Sequence, residues 1–266
     1  MLSNLRHLLR YRALVQSLVA RDLKARYRGS VLGFLWSFVN PLLLLLIYTF
    51  VFTVVLQDFR GGGVEPYALF MFCGILPWTW FSSSLLESAN VLIAGGNLIR
   101  KVLFPAEVLP IVTVFAGMMH FFLGLPILAA FFLYYRNQVP MYPLDLLWLP
   151  VIVLVQLTLT LGLALIVSAL TVHFRDLRDL LGNVLTLWFF ATPIIYPLSA
   201  VGGRFRSLLN LNPFTHIAVA YQEVLFVSGP FTAWPRLLLV GTVSIAVFAC
   251  GYVVFDRLRD TLAEEV

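Results

Sequence analysis

The chain has 266 residues, 61% of them apolar and only 12% charged, with a mean hydropathy of +0.92. An ordinary soluble domain carries about 25% charged residues, so a water-soluble fold of this size is excluded. The net charge of +5 is read as orientation in a bilayer, where Lys and Arg gather on one side, and not as a nucleic-acid interface.

Taken in chain order, the first element lies within residues 1–30. Leu8, Tyr11, Val15, Leu18, Val19, Leu23 and Tyr27 recur at three- and four-residue steps with arginines and Lys24 between them. This is the pattern of an amphipathic helix lying in the cytoplasmic interface. Such a helix serves as a membrane-surface anchor, or also as part of a docking surface for a cytoplasmic partner, with Arg21 and Lys24 as its candidate contacts.

Spans follow. Crossing the hydrocarbon layer takes about 20 apolar residues, and Val31 to Leu56 holds no Asp, Glu, Lys or Arg. A cleaved secretory signal would have a shorter apolar core, about 7 to 15 residues, whereas this run continues into Gln57-Asp58-Phe59-Arg60; it is an uncleaved span. Further charge-free runs lie at Pro66 to Leu86, Val108 to Tyr135, Leu146 to Phe174, Leu180 to Gly203 and Leu237 to Phe255. The expectation is an all-α integral membrane protein with six transmembrane helices and both termini on one side. Arg6, Arg10, Arg12, Arg21, Lys24, Arg26 and Arg28 precede the first span, and Arg100, Lys101, Arg175, Arg178, Arg257 and Arg259 fall on the same side. Only Arg60, Arg136, Arg204, Arg206 and Arg236 fall opposite. Both termini are therefore expected in the cytoplasm.

Two connections are unusual. The cytoplasmic loop over residues 95–105 reads Gly95-Gly96-Asn97-Leu98-Ile99-Arg100-Lys101-Val102-Leu103-Phe104-Pro105. It is too apolar for a solvated loop, yet Arg100-Lys101 and Pro105 keep it out of the bilayer. A short helix across the cytoplasmic face satisfies both facts, with Leu98, Ile99 and Val102 entering another protein or packing back on this one. On the outer side, residues 197–234 carry apolar pieces too short to cross, broken by Pro197, Gly202-Gly203, Pro213 and Gly229-Pro230. Non-helical backbone at membrane depth must be buried or line a cavity, so re-entrant or gate helices are expected between spans five and six.

Function is narrowed by what the residues do not supply. The only lysines, Lys24 and Lys101, do not follow glycine as a phosphate-binding G-x-x-x-x-G-K-[ST] loop requires. Ionisable residues inside the spans are few beyond His120 and His173, against ion-coupled transport. Cys73 and Cys250 fall in spans without metal-ligand spacing; no metal or catalytic residue is assigned.

Aromatic rings are abundant at membrane depth: Tyr48 in the first span, Trp78, Trp80 and Phe81 after Pro77 in the second, Trp188, Phe189 and Phe190 in the fifth, and Tyr196 beyond it. Flat apolar faces beside hydroxyls such as Thr79, Ser82, Ser83 and Ser84 suit a sugar ring, with C–H groups on its faces and hydroxyls on its rim. These eight aromatics are candidate channel residues. Small-residue ridges at Thr160-Ala164-Ser168 and Thr242-Ala246-Cys250 are expected to pack helices closely within one subunit.

The order of motifs resembles a known family. Arg26-Tyr27-Arg28-Gly29-Ser30-Val31-Leu32-Gly33-Phe34-Leu35-Trp36-Ser37 with Asn40-Pro41 is similar to the approach to the first span in permease subunits of ABC transporters that export polysaccharides, O-antigen and teichoic acid exporters among them. Gly74-Ile75-Leu76-Pro77-Trp78, Asn97 to Val102 with Phe104-Pro105, Phe174-Arg175-Asp176-Leu177, Thr192-Pro193-Ile194-Ile195-Tyr196 and Asn212-Pro213 recur in the same order.

The resemblance implies a single permease domain over 1–266 that forms a homodimer in the bacterial inner membrane. Two partner ATP-binding cassette subunits would hold ATP and Mg, with no cofactor in this chain. A lipid-linked or lipid-anchored polysaccharide would pass through a channel at the dimer centre. Asn97, Leu98, Ile99, Arg100, Lys101 and Val102 would form the coupling contact with the ATPase, and residues 197–234 the outer gate. Rival readings are a permease of the same fold for a smaller lipid or drug, and an intramembrane transferase using His120, His173 or His216, which lie in different segments with no evident companion.

Overall fold

The computed structural model describes residues 11–26, 28–55, 64–96, 105–137, 139, 144–174, 176–227 and 230–265. All regular structure among them is helical: α1 (Arg12–Arg26), α2 (Trp36–Phe50), α3 (Tyr67–Ala94), α4 (Val108–Tyr134), α5 (Leu149–His173), α6 (Leu177–Phe190), α7 (Gly203–Leu209), α8 (Pro213–Leu225) and α9 (Trp234–Glu265), with short 3-10 turns between some of them.

Among the described residues, five helical segments are long and apolar enough to cross a membrane: Gly33–Phe50, Tyr67–Ala94, Val108–Tyr134, Asp145–His173 and Trp234–Arg259. The segment expected as a further span, Leu180 to Gly203, does not form one long helix. Its helix α6 has 14 residues, about 21 Å at 1.5 Å per residue, and stops short of the roughly 30 Å hydrocarbon layer. Pro193 lies just beyond its end, where a residue without an N–H cannot continue the ladder.

A helix whose apolar residues run round most of its surface is stable inside a bundle, and α3 is such a helix. Some 78% of its apolar window is buried, against 11% for the span containing α2 and 22% for that containing α9. It packs against α4, α5, α8, α6 and α2. Pro77 interrupts it, and the Pro77 carbonyl is taken by the fully buried Gln156 of α5, whose Nε2 donates at 2.8 Å.

The tightest helix pair is α5 with α9. A Cβ on Gly162 would meet the Phe248 backbone N and Cα at 2.7 Å, and one on Gly251 would run into the Gly162 carbonyl. Backbones in such contact leave no room for any side chain, the small-residue packing used by helices in membranes. The ridge Thr160-Ala164-Ser168 is buried as expected. The ridge Thr242-Ala246-Cys250 is a correction: all three are exposed, and α9 instead buries Leu237, Val240, Ser244, Gly251 and Phe255. Ser244 sits two residues from Thr242, about 200° around the helix, so burying one face turns the other outward.

At the N-terminal end, α1 buries Leu18 and Val19 against Val108, Val112 and Ala116 of α4 while Arg12, Arg21 and Lys24 stay exposed. Leu8 and Tyr27 of the expected amphipathic pattern lie outside the described residues. Residues 197–234 contain a 3-10 turn (Leu198–Ala200), the exposed α7 and the deeply buried α8. Pro at the first helical position, preceded by Asn212 as N-cap, sets where α8 begins.

Candidate functional site

Trp78 and Phe81 lie three residues apart, hence on one face of α3, and meet Trp188 and Phe189 of α6 and Phe214 of α8. Ring centroids are 4.6 Å apart for Phe81–Phe214, 5.0 Å for Trp78–Phe214, 5.3 Å for Phe81–Trp188 and 5.8 Å for Trp78–Phe189. Tilted and edge-to-face pairs at such distances stabilise by about 0.5–1.5 kcal/mol each beyond their buried area. The cluster therefore holds three elements together. Trp80 points elsewhere: its Nε1 donates to the Val114 carbonyl at 3.0 Å and its ring lies 5.4 Å from Phe121 of α4.

Of the candidate channel aromatics, Trp78, Trp80 and Phe81 are 7%, 2% and 0% exposed and pack inside the subunit. Burial follows from the central place of α3, which packs against five other helices and leaves Thr79, Leu86 and Ile93 exposed. Trp188, Phe189, Tyr196 and Tyr48 are half-buried, and Phe190 is exposed. The Tyr196 hydroxyl donates to the Phe190 carbonyl at 2.8 Å, so the two outer rings are tied to one turn.

Asn212 locks the end of α6 to the start of α8. Its Oδ1 accepts from Trp188 Nε1 at 2.8 Å and from the Phe214 N–H at 3.0 Å. Its Nδ2 donates to the Ala191 carbonyl at 3.1 Å and to Thr192 Oγ1 at 3.0 Å. Buried Gln222 adds a bond from Nε2 to the Pro193 carbonyl at 2.9 Å. The Thr192-Pro193-Ile194-Ile195-Tyr196 and Asn212-Pro213 motifs are thus two halves of one hydrogen-bonded corner.

A second polar constellation joins α1 to α3. The Arg26 guanidinium makes two parallel bonds to the Glu87 carboxylate and a third to Asp22 Oδ2 at 2.9 Å. The Glu87 hydrogen bonds raise the Arg26 pKa above its already high ordinary value, so the cation is permanent. Above the pair lies a cavity of about 400 Å³ between α1, α2, α3 and α4, with Asn40, Thr79, Trp80 and His120 among its walls.

Arg21 and Lys24 are exposed on α1. Asn97, Leu98, Ile99, Arg100, Lys101 and Val102 lie outside the described residues. Among the described residues the three histidines stand on three different helices, His120 on α4, His173 on α5 and His216 on α8; His216 Nε2 lies 2.8 Å from the Asn210 carbonyl and His173 Nδ1 3.2 Å from the Ala169 carbonyl. Among the described residues no group of three His, Cys, Asp or Glu is placed to hold a metal.

Sequence reasoning missed the roles of Glu87, Gln156, Gln222, Gly162 and Gly251. Glu87 had a signal, being the residue at which the second charge-free run ends. The glycines had none, because which helix they face is not written in their spacing.

The family model for ABC-2 type transporter matches residues 13–226. Over 268 residues and 100% of both chains, the sequence is 42% identical to a Myxococcus xanthus protein named O-antigen export system permease protein RfbA. A Klebsiella pneumoniae protein of the same name is 32% identical over 245 residues, 92% of this chain and 91% of that one. The polysialic acid transport protein KpsM of Escherichia coli is 24% identical over 216 residues, 79% of this chain and 80% of that one. With a match running from α1 through α8 and taking in both the Arg26–Glu87 pair and the Asn212 corner, the chain belongs to the ABC-2 type transporter family.

Proposed function

We propose that this chain is the membrane-spanning subunit of an ATP-driven exporter of a lipid-linked or lipid-anchored polysaccharide of O-antigen type. The observation that carries the reading is the full-length similarity to the Myxococcus xanthus O-antigen export permease. Two copies act with two ATP-binding cassette subunits, which hold ATP and Mg, in a bacterial inner membrane. The Lys and Arg distribution supports cytoplasmic termini, and α6 with the segment up to Gly203 acts as the sixth crossing, completed by contact with α8.

Two faces support a second copy. On α2, Leu42, Leu43, Leu46, Ile47 and Phe50 are exposed, and on α6, Leu180, Val184, Leu187 and Phe190. Lipid or a partner covers such faces; the rings Tyr48 and Phe190 on or beside them support a channel between α2 and α6 of the two copies, with Trp188, Phe189 and Tyr196 flanking it. In this arrangement Trp78, Trp80 and Phe81 brace the wall from behind. A chain of sugars moves past weak contacts more readily than past one strong site, as ions do in a pore. Residues 197–234 close the outer mouth, and α7, exposed from Gly203 to Leu208, is the piece free to swing.

The channel reading is checked by thiol labelling in a background with Cys73→Ser and Cys250→Ser. Tyr48→Cys and Phe190→Cys react with a water-soluble maleimide during ATP turnover, and Trp80→Cys and Phe81→Cys do not. The opposite pattern, with only the second-span positions reactive, moves the channel into the subunit and overturns this arrangement.

We infer that coupling falls on residues 95–105, with Arg21 and Lys24 of α1 as further contacts. Charge complementarity at such an interface governs partner choice. Arg100→Glu with Lys101→Glu is expected to detach or uncouple the ATPase while the permease stays folded in the membrane. Unchanged co-purification and unchanged ATP turnover would remove the loop from the interface.

A further inference from the structure

The contact between α1 and the bundle leaves a groove beside it. Leu18 and Val19 seal against α4, but a volume of about 670 Å³ remains open next to them. Val15, Val19, Ala20 and Leu23 of α1 form one wall. Phe115, Met118 and Met119 of α4, with Leu161 of α5 and Phe248 of α9, form the rest. From Ile111 to Met119 the groove follows α4 for about 12 Å, from the level of α1 toward the middle of the membrane. Methionine pairs make an adaptable lining, because the unbranched thioether repacks around irregular shapes.

Among the described residues, only Arg12 and Gln16 bring polar side chains to the groove. Of the two, Arg12 carries the charge, and no carboxylate is among the described walls. Asp22 of α1 and Glu87 of α3 are both engaged by Arg26, so the groove rim is positive at Arg12. An occupant must be apolar for about two helical turns, anionic at the interfacial end, and resident in the bilayer. Neither α2 nor α6, whose faces the second copy is proposed to cover, contributes to the walls.

We propose that this groove holds an acyl chain of an anionic phospholipid, with Arg12 on its phosphate and Gln16 beside it. The lipid fills the space under α1 and fixes the angle at which the interfacial helix leaves the bundle. Zwitterionic lipid offers the same chain with no net charge, which makes headgroup preference the discriminating property.

The test is native mass spectrometry of the full-length chain in micelles holding phosphatidylglycerol and phosphatidylcholine with identical acyl chains in equal amounts. The wild type is expected to retain phosphatidylglycerol in preference. Arg12→Gln lowers that preference about fivefold, the factor corresponding to one basic side chain near an anionic surface. Arg21→Gln, outside the groove walls, leaves it unchanged. Met119→Trp, which fills the groove from an exposed position, lowers retention of both lipids. Equal retention of the two lipids by the wild type overturns the proposal. So does an equal loss of preference in Arg12→Gln and Arg21→Gln, which would mean diffuse attraction to the helix, and so does retention unaffected by Met119→Trp. Gel filtration of each variant as a single folded peak is required for its result to count; Arg12, Arg21 and Met119 are all exposed, so each substitution leaves the core intact.

Discussion

Gly162→Leu is expected to abolish the folded permease rather than to alter its transport. A Cβ at this position meets the Phe248 N and Cα at 2.7 Å and the Val247 carbonyl carbon at 2.8 Å. These are backbone atoms of a helix packed along its length, and no rotamer change relieves the overlap. Overpacking a core costs about 1–3 kcal/mol and occasionally more, and contact with backbone places this case at the upper end. Against a total stability of about 5–15 kcal/mol, that loss together with separation of α5 from α9 removes most of the folded population. Fluorescence-detected gel filtration of a tagged chain is expected to show a several-fold loss of the single peak. Ala246→Leu, on the outward face of the same helix pair, keeps it. A normal peak for Gly162→Leu would contradict the α5–α9 packing.

The second large effect is at Arg26. Reversing it with Arg26→Glu leaves Glu87, Asp22 and the new carboxylate together at the edge of the membrane with no cation between them. Removing one partner of a buried pair costs about 3–5 kcal/mol. Here the side chains are 29% and 34% exposed, and screening by solvent reduces the figure to about 2 kcal/mol. The loss falls on the joint between α1 and α3 and not on the bundle core, so the chain is expected to stay in the membrane while α1 becomes open to protease and transport falls by tenfold or more. Combining Arg26→Glu with Glu87→Arg restores most of the protection; the remainder is lost to Asp22, one turn from the new carboxylate. Arg26→Lys keeps the charge but not the two parallel bonds of the guanidinium, and recovers only part. If the double exchange behaves no better than Arg26→Glu alone, the pair does not hold α1.

How much of this was readable from residues alone differs by element. The apolar periodicity and charge of α1 appear in the structure as a helix with Leu18 and Val19 inward and Arg12, Arg21 and Lys24 outward. The long spans were equally plain, since length and freedom from charge are properties of a segment by itself. The segment after Leu180 was not, because its composition is that of a span while Pro193 and the Asn212 corner end its helix after Phe190. Composition measures transfer to lipid and is blind to a break in the hydrogen-bond ladder. The aromatic candidates divide on the same principle. Trp78, Trp80 and Phe81 carry the same chemistry as Trp188 and Phe190, and only the central position of α3, a fact about the other helices, puts them inside. Gly162 and Gly251 were invisible for that reason too.

The most direct test of the account is the fate of the polymer when this chain is removed. Deletion of its coding sequence, with the genes for polymer synthesis intact, is expected to eliminate polysaccharide from the cell surface while lipid-linked polymer accumulates on the cytoplasmic side, detected by antibody before and after membrane permeabilisation. Wild-type chain restores surface polymer only when its ATP-binding partner is active. Polymer still reaching the surface in the deletion strain, or absent from both compartments as loss of a biosynthetic enzyme would leave it, would contradict the assignment of this chain as the export channel.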